Sequence, residues 1–68
     1  MSVARVVEIS ATSDKSFEDA VQQGIARASK TLRQIRSAWI KEQEVQIKDE
    51  KIVGYKVNML VTFVLEEI

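Results

Sequence analysis

The chain contains no cysteine, no histidine and no proline among its 68 residues, and it has only two glycines. Without cysteine, disulfides and thiolate metal sites are excluded. Without histidine, the commonest neutral metal ligand and the commonest acid–base group are missing. No paired constellation of Glu, Asp, Lys or Tyr replaces them, so we expect a protein that is not an enzyme.

An excess of charge of either sign is also missing. The chain has 10 basic and 10 acidic residues and a formal net charge of zero, which gives no electrostatic case for binding nucleic acid or a membrane surface. No apolar run approaches the ~20 residues of a membrane span, and no signal peptide is recognisable. We therefore expect no nucleic-acid partner, no membrane partner and a cytoplasmic location.

The length predicts a single domain, residues 1–68. Domains of this size bury too little surface to be robustly stable alone, and they usually depend on disulfides, a structural metal or oligomerisation. Since the composition removes the disulfides and the usual zinc ligands, oligomerisation is the remedy left open.

The most informative segment is Ile52 to Leu65, which is typical of one long β-strand. Its even positions are mixed, with Lys56 and Asn58 beside Leu60. Its odd positions are all apolar and form one continuous core face: Val53, Tyr55, Val57, Met59, Val61, Phe63 and Leu65. One candidate helix covers one face of a sheet, so the partly apolar second face requires another protein surface or a ligand.

Two further elements precede that strand. Val3 to Ile9 is a β-branched run that predicts a first strand. Ser13 is the predicted N-cap of a helix, whose apolar stripe recurs at three- and four-residue spacings: Phe17, Val21, Ile25, Ala28, Leu32 and Ile35. Gly24 interrupts the stripe and indicates close packing of the helix backbone, either on its own sheet or on a neighbouring subunit.

The segment Ala38 to Ile47 predicts the second strand. Its apolar positions are even at Ile40 and odd at Val45, and a polar run separates them. Such a change of parity indicates a β-bulge or a change in the buried face. Lys48 to Lys51 then forms the turn into the long strand, without the Asn-Gly pair typical of a tight hairpin.

This order of elements predicts an α+β fold, β-α-β-β. A right-handed crossover makes the first two strands parallel, and the third strand inserts between them, antiparallel to both. The expected product is a three-stranded sheet of order 1-3-2 that cradles one helix.

The sequence resembles the dodecins, small proteins with the same β-α-β-β layout. The resemblance covers nearly the whole chain and rests on four pieces in order: Ser10-Ala11-Thr12-Ser13 followed by Ser16-Phe17, then Ala20-Val21-Gln22-Gln23-Gly24-Ile25-Ala26-Arg27-Ala28, then Lys30-Thr31-Leu32-Arg33, and finally the strand from Tyr55 to Glu66. It implies a hollow homododecamer that binds flavins of the riboflavin or FMN type for storage or quenching. In the flavin-binding members, paired flavins stack between aromatic side chains near two-fold axes.

The resemblance also implies candidate cofactor-binding residues. Ser37 aligns with the stacking Trp of the flavin-binding members, Trp39 follows two residues later, and Lys56 aligns with a Gln that contacts the flavin edge. Ser37 offers no ring, and a Lys has donors but no acceptor. Trp39 is the candidate stacking residue, with a subunit-interface anchor as the alternative. For Lys56 the alternative is a side chain whose stem lies along a subunit boundary.

A second branch of the dodecins, without the stacking Trp, is associated with calcium and looks more similar to this chain around Trp39. Glu42 and Glu44 are the candidate metal ligands, since a hard cation requires several oxygen ligands that symmetry axes could gather. The alternative for both residues is a solvated or ion-paired strand end. A flavin-free shell with a structural or calcium-binding role is therefore the second functional hypothesis.

Overall fold

The computed structural model describes residues 2–67, which form one helix and a three-stranded sheet. Strand β1 spans Ser2–Ser13, helix α1 spans Phe17–Ala28, and strands β2 and β3 span Ile35–Lys48 and Lys51–Glu67. The sheet has the order β1-β3-β2, and β3 is antiparallel to both neighbours. The predicted α+β fold with strand order 1-3-2 is confirmed.

The centre of β3 forms the core of the protomer. Val57, Met59 and Val61 are fully buried beneath α1, which packs against β1 and β3. Near the two ends of the strand, Val53 is 50% exposed and Leu65 is 58% exposed. Both are extra residues at shifts of the ladder: Val53 has no partner on β2 and Leu65 has none on β1. The predicted core face therefore holds only for its middle, because the regular alternation of β3 is interrupted at these two residues.

The helix begins after Ser16, and the prediction of Ser13 as N-cap is wrong. The backbone N–H of Asp19 donates to Ser16 Oγ at 2.9 Å. Ser13 is the last residue of β1 and is still paired with Tyr55. Its hydroxyl donates to Asp19 Oδ2 at 2.6 Å and accepts from the backbone N–H of Lys15. Ser13 thus ties the end of the strand to the first helical turn.

The helix ends at Ala28, about two turns before Ile35, the last residue of the predicted stripe. The backbone N–H of Leu32 still donates to the carbonyl of Ala28 at 2.8 Å. Gln34 then takes a positive φ of 57°, and its carbonyl accepts from Val64 N–H, which draws the chain into the sheet. Leu32 is therefore in the connection, and Ile35 is the first residue of β2 rather than part of the helix.

Gly24 is buried where α1 lies closest to the sheet. A Cβ atom at this position would lie 3.1 Å from Ala11 Cβ and 2.5 Å from Met59 Cε, distances below ordinary van der Waals contact. Of the two explanations for this glycine, packing on its own sheet accounts for it.

Of the two alternatives that the parity change predicts, a β-bulge or a change in the buried face, strand β2 contains the bulge. Ile40 faces Met59 and Glu42 faces Asn58, so Lys41 is an extra residue between two consecutive pairs of the ladder. The pairing also shifts near both ends of the strand. Arg36 is an extra residue of β2 between Ile35 and Ser37, whereas opposite Gln46 and Ile47 the extra residue is Val53 of β3. Each shift changes which face the bulged strand presents beyond it.

The hairpin between β2 and β3 closes with a two-residue turn. Asp49 and Glu50 have φ angles of 51° and 64°, and Lys48 pairs with Lys51. Two successive left-handed residues are typical of a type I′ turn, which matches the twist of the strands it joins. The turn forms here from two acidic residues, without the Asn-Gly pair.

Candidate functional site

The face of the sheet opposite α1, called here the helix-free face, collects the candidate site residues. Residues that face each other across an antiparallel ladder point to the same side, and the even-numbered residues of β3 point away from the buried odd ones. The register therefore places five candidate residues on this face: Ser37 opposite Thr62, Trp39 opposite Leu60, Glu42 opposite Asn58, and Glu44 opposite Lys56.

The bulge at Lys41 places Trp39 and Glu42 on the same face of the sheet. Trp39 and Glu42 are three residues apart and would point to opposite faces in a regular strand. With one extra residue between them, both point away from the helix. Lys41 also reaches this face, because its Nζ lies 3.4 Å from Oε2 of Glu8, which faces Leu60 from β1.

Trp39 is the most accessible aromatic side chain of this face. It is 71% exposed, although a ring of this size ordinarily contributes to a core or an interface. Its ladder partner Leu60 is only partly exposed and adds apolar surface beside the indole. Ser37 is exposed on the same face and offers a hydroxyl, which cannot stack on a ring.

Next to Trp39 along β2, two carboxylates are each held by a residue of β3. Asn58 Nδ2 donates to Glu42 Oε1 at 3.1 Å. Lys56 Nζ lies 3.5 Å from Glu44 Oε1, with the two side chains 35% and 63% exposed. These side chains, together with Gln43, line a shallow groove of about 140 Å³. Exposed pairs of this kind contribute ~0–1 kcal/mol to stability, so they shape the surface more than they hold the fold.

A protomer does not assemble a metal centre from these groups. Among residues 2–67, no cluster of three or more His, Cys, Asp or Glu side chains is placed to hold a metal ion. Calcium takes roughly six to eight oxygen ligands, more than Glu42 and Glu44 supply. A calcium site on this face would therefore need further oxygen ligands, from other copies of the chain, from carbonyl groups or from water.

Sequence reasoning missed three contributors to this face: Glu8, Lys41 and Asn58. The alternation along β1 and β3 could have placed Glu8 and Asn58 on this face. Asn58 faces Glu42, and Glu8 faces Leu60, the ladder partner of Trp39. Lys41 could have been placed on this face only if the sequence showed which residue forms the bulge. The residues from Lys41 to Glu44 are all polar, so their pattern does not show it.

A second cavity lies on the other side of the sheet, between α1 and β1. It has a volume of about 580 Å³, and its lining includes the apolar residues Ile9, Ala11 and Leu32 and the polar residues Arg27 and Thr31. The sequence did not predict it. In the part of the chain that the structure describes, no helix has the length and apolar character needed to cross a membrane.

Known proteins share this sequence pattern and geometry. A family model described as Dodecin matches residues 3–66. The chain belongs to the dodecin family. The resemblance stated from the sequence is thereby confirmed.

Curated relatives of this dodecin align over nearly their full lengths. The chain is 38% identical to a dodecin from Thermus thermophilus over 65 residues, which are 96% of this chain and 94% of the relative. It is 32% identical to the calcium dodecin of Mycobacterium tuberculosis over 63 residues, 93% and 89% of the two chains. One of these two relatives is thus named dodecin and the other calcium dodecin.

Solved dodecin structures superpose closely on this one. The dodecin from Streptomyces davaonensis has a TM-score of 0.91 at 35% identity, with 97% of each chain covered. The M. tuberculosis calcium dodecin, described as having a novel calcium-binding site, has a TM-score of 0.81 at 31% identity, with 91% of this chain and 89% of that chain covered. At these identities the likeness extends beyond the fold to the family.

Proposed function

We propose that this dodecin is a non-enzymatic binding protein. Each chain, residues 1–68, is one domain and one protomer of a hollow homododecamer that holds a flavin of the riboflavin or FMN type on the helix-free face, for sequestration or storage. The observation that carries the proposal is the exposed indole of Trp39 on that face, in a chain whose family match spans residues 3–66.

The small core supports self-assembly. In the described residues the buried hydrophobic side chains are Ala20, Ala28, Val57, Met59 and Val61. The large hydrophobic side chains that remain exposed are more numerous: Val3, Val6, Trp39, Val45, Ile47, Ile52, Val53 and Leu65. A shell of identical copies would remove much of this apolar surface from water. That burial would stabilise a domain that is too small to bury enough apolar surface by itself.

Trp39 supports an aromatic ligand. A flat ring system can stack on the indole, and aromatic pairs contribute ~0.5–1.5 kcal/mol beyond the area they bury. Ser37 and Lys56 lie on the same face, where a hydroxyl and an ammonium group can donate to the polar edge of the ligand. In this proposal Trp39 is the stacking residue, and Ser37 and Lys56 are polar contacts.

Calcium binding is the second candidate function. It is favoured by the presence of Glu42 and Glu44 on one face and by the similarity to a protein named calcium dodecin. The ion pair between Lys56 and Glu44 opposes it, since an ammonium group already neutralises one of the two carboxylates. Copies of Glu42 and Glu44 would have to meet at a symmetry axis to complete a site.

Titration of the purified, size-verified oligomer with riboflavin and with FMN tests the proposal. We expect native mass spectrometry to show a dodecamer and flavin fluorescence to be quenched saturably, because stacking on an indole provides a non-radiative path. An intact dodecamer that quenches neither flavin would contradict the flavin proposal. Calorimetry with calcium, on the wild type and on the Glu42→Gln, Glu44→Gln double variant, then tests the second candidate.

A further inference from the structure

We infer that Glu42, held by Asn58, determines the specificity of the Trp39 site. It selects ring ligands that are uncharged and carry an N–H donor on their edge, and it disfavours ligands that carry an anionic group. This inference rests on the proposed function, because it concerns what is bound beside Trp39.

The position of Glu42 relative to Trp39 is the first argument. The ladder partners of the two residues, Asn58 and Leu60, are two residues apart on β3, about 6.6 Å along a strand. Both side chains point away from the helix. A fused three-ring ligand stacked on the indole reaches this distance, so Glu42 lies at the edge of such a ligand.

The hydrogen-bonding capacity left on the pair is the second argument. Asn58 uses one amide hydrogen on Glu42 Oε1 at 3.1 Å. A carboxylate offers about four acceptor positions, and an amide nitrogen carries a second N–H. The pair therefore presents an acceptor next to a donor, which complements an imide edge with its N–H next to a carbonyl. Lys56 alone could only donate.

Charge is the third argument. Between Trp39 and Glu44, and directly across the ladder on β3 and β1, the ionisable side chains are Glu8, Lys41, Glu42, Glu44 and Lys56. Lys41 lies 3.4 Å from Glu8, and Lys56 lies 3.5 Å from Glu44, so both ammonium groups already have a carboxylate. Glu42 is instead held by the neutral amide of Asn58. A phosphate brought to this region meets a local excess of one negative charge.

Riboflavin and FMN differ by one phosphate ester and therefore test this inference directly. At low ionic strength we expect riboflavin to bind this dodecin about threefold more tightly than FMN, as follows from one like-charge pair in a high-dielectric surface setting. The ratio should fall toward one in Glu42→Gln, which keeps an amide oxygen acceptor and loses the charge, and also with added salt. Glu18→Gln, an exposed change on the helix, is the matched control and should leave the ratio unchanged.

A flavin methylated on the imide nitrogen tests the hydrogen bond separately. Losing a donor to a charged acceptor should weaken binding to the wild type about tenfold, and the loss should be smaller in Glu42→Gln. Equal affinity for the methylated and unmethylated flavins would overturn the assignment of Glu42 as an acceptor.

The remaining outcomes separate this inference from the function on which it rests. If both flavins bind and FMN binds as tightly as riboflavin or more tightly, the inference is wrong and the proposed function stands. The same holds if the ratio is unchanged in Glu42→Gln. If neither flavin binds to the intact oligomer, both the inference and the flavin proposal are overturned.

Discussion

The two faces of the same sheet differ in what they contribute. On the helix-covered face the centre of β3 is fully buried at Val57, Met59 and Val61. On the helix-free face, the two neighbours of Val57 in the chain, Lys56 and Asn58, each contact a carboxylate of β2. The alternation of a single strand thus separates the residues buried in the protomer from those that we propose to contact ligands or other subunits. Variants on one face should affect stability, and variants on the other should affect binding.

The largest effect is expected from a charge on the covered face. Val57→Asp should lower the free energy of unfolding by about 4 kcal/mol, because an unpaired carboxylate would be buried with no hydrogen-bond partner. Chemical denaturation followed by circular dichroism at fixed protomer concentration measures the change. Asn58→Asp introduces the same group one residue away on the helix-free face and should preserve the fold. Similar destabilisation by both variants would contradict the assignment of the two faces.

A smaller loss is expected where α1 approaches the sheet. Gly24→Val should destabilise the protomer by about 2 kcal/mol, because new side-chain atoms would press on Ala11 and Met59 in a packed region. Gln22→Val is the matched control, since it places the same β-branched residue at an exposed helical position and reports helix propensity alone. Thermal unfolding of both variants gives the comparison. Equal shifts in Tm would show that the close approach of the helix to the sheet at Gly24 does not add to the cost of a side chain there.

On the helix-free face the expected effect moves from stability to binding. Trp39→Ala should leave the unfolding of the protomer nearly unchanged, since the ring is 71% exposed, and should weaken flavin binding about tenfold through the lost stacking. Trp39→Phe keeps a ring and should lose less. Fluorescence titration combined with native mass spectrometry separates the outcomes. Unchanged affinity in an intact dodecamer would exclude Trp39 as the platform, and dissociation of the oligomer would identify it as an interface anchor.

The smallest effect is expected from the ion pair that crosses β3. Lys41→Ala should change the free energy of unfolding by less than about 0.5 kcal/mol, because both partners are half exposed and such pairs are screened by solvent. Urea denaturation of the wild type, Lys41→Ala, Glu8→Gln and the double variant gives the coupling energy. A coupling above about 1 kcal/mol would show that the helix-free face also stabilises the protomer.

Sequence patterns were sufficient for the parts of the fold that repeat regularly. The alternation of β3 predicted the buried set at Val57, Met59 and Val61. The parity change in β2 predicted a β-bulge or a change in the buried face, and the structure has a bulge at Lys41. Both predictions follow from the two-residue period of a strand. A pattern of this kind does not show where the ladder shifts along β3, so the exposure of Val53 and Leu65 was not foreseen.

The ends of the helix were harder to predict because the competing signals are short. Ser13 and Ser16 are both capable of capping, and the tertiary pairing of Ser13 with Tyr55 decides between them. Leu32 and Ile35 continue the apolar spacing past the helix, although Leu32 lies in the connection and Ile35 is already the first residue of β2. The roles of Ser37, Trp39, Lys56, Glu42 and Glu44 stay predictions: the register brings them to one face, and only binding experiments can assign their ligands.

The hairpin of β2 and β3 has a consequence for how long a newly made chain can survive alone. Its turn at Asp49 and Glu50 lies between Lys48 and Lys51, and every residue from Lys41 to Val53 is exposed in the protomer. Exposed loop tips are preferred sites of proteolytic nicking. A trypsin-like protease should therefore cleave unassembled chains at this tip, and any shell that covers it makes cleavage slow. The half-life of the hairpin in the presence of protease would therefore measure how quickly newly made chains assemble.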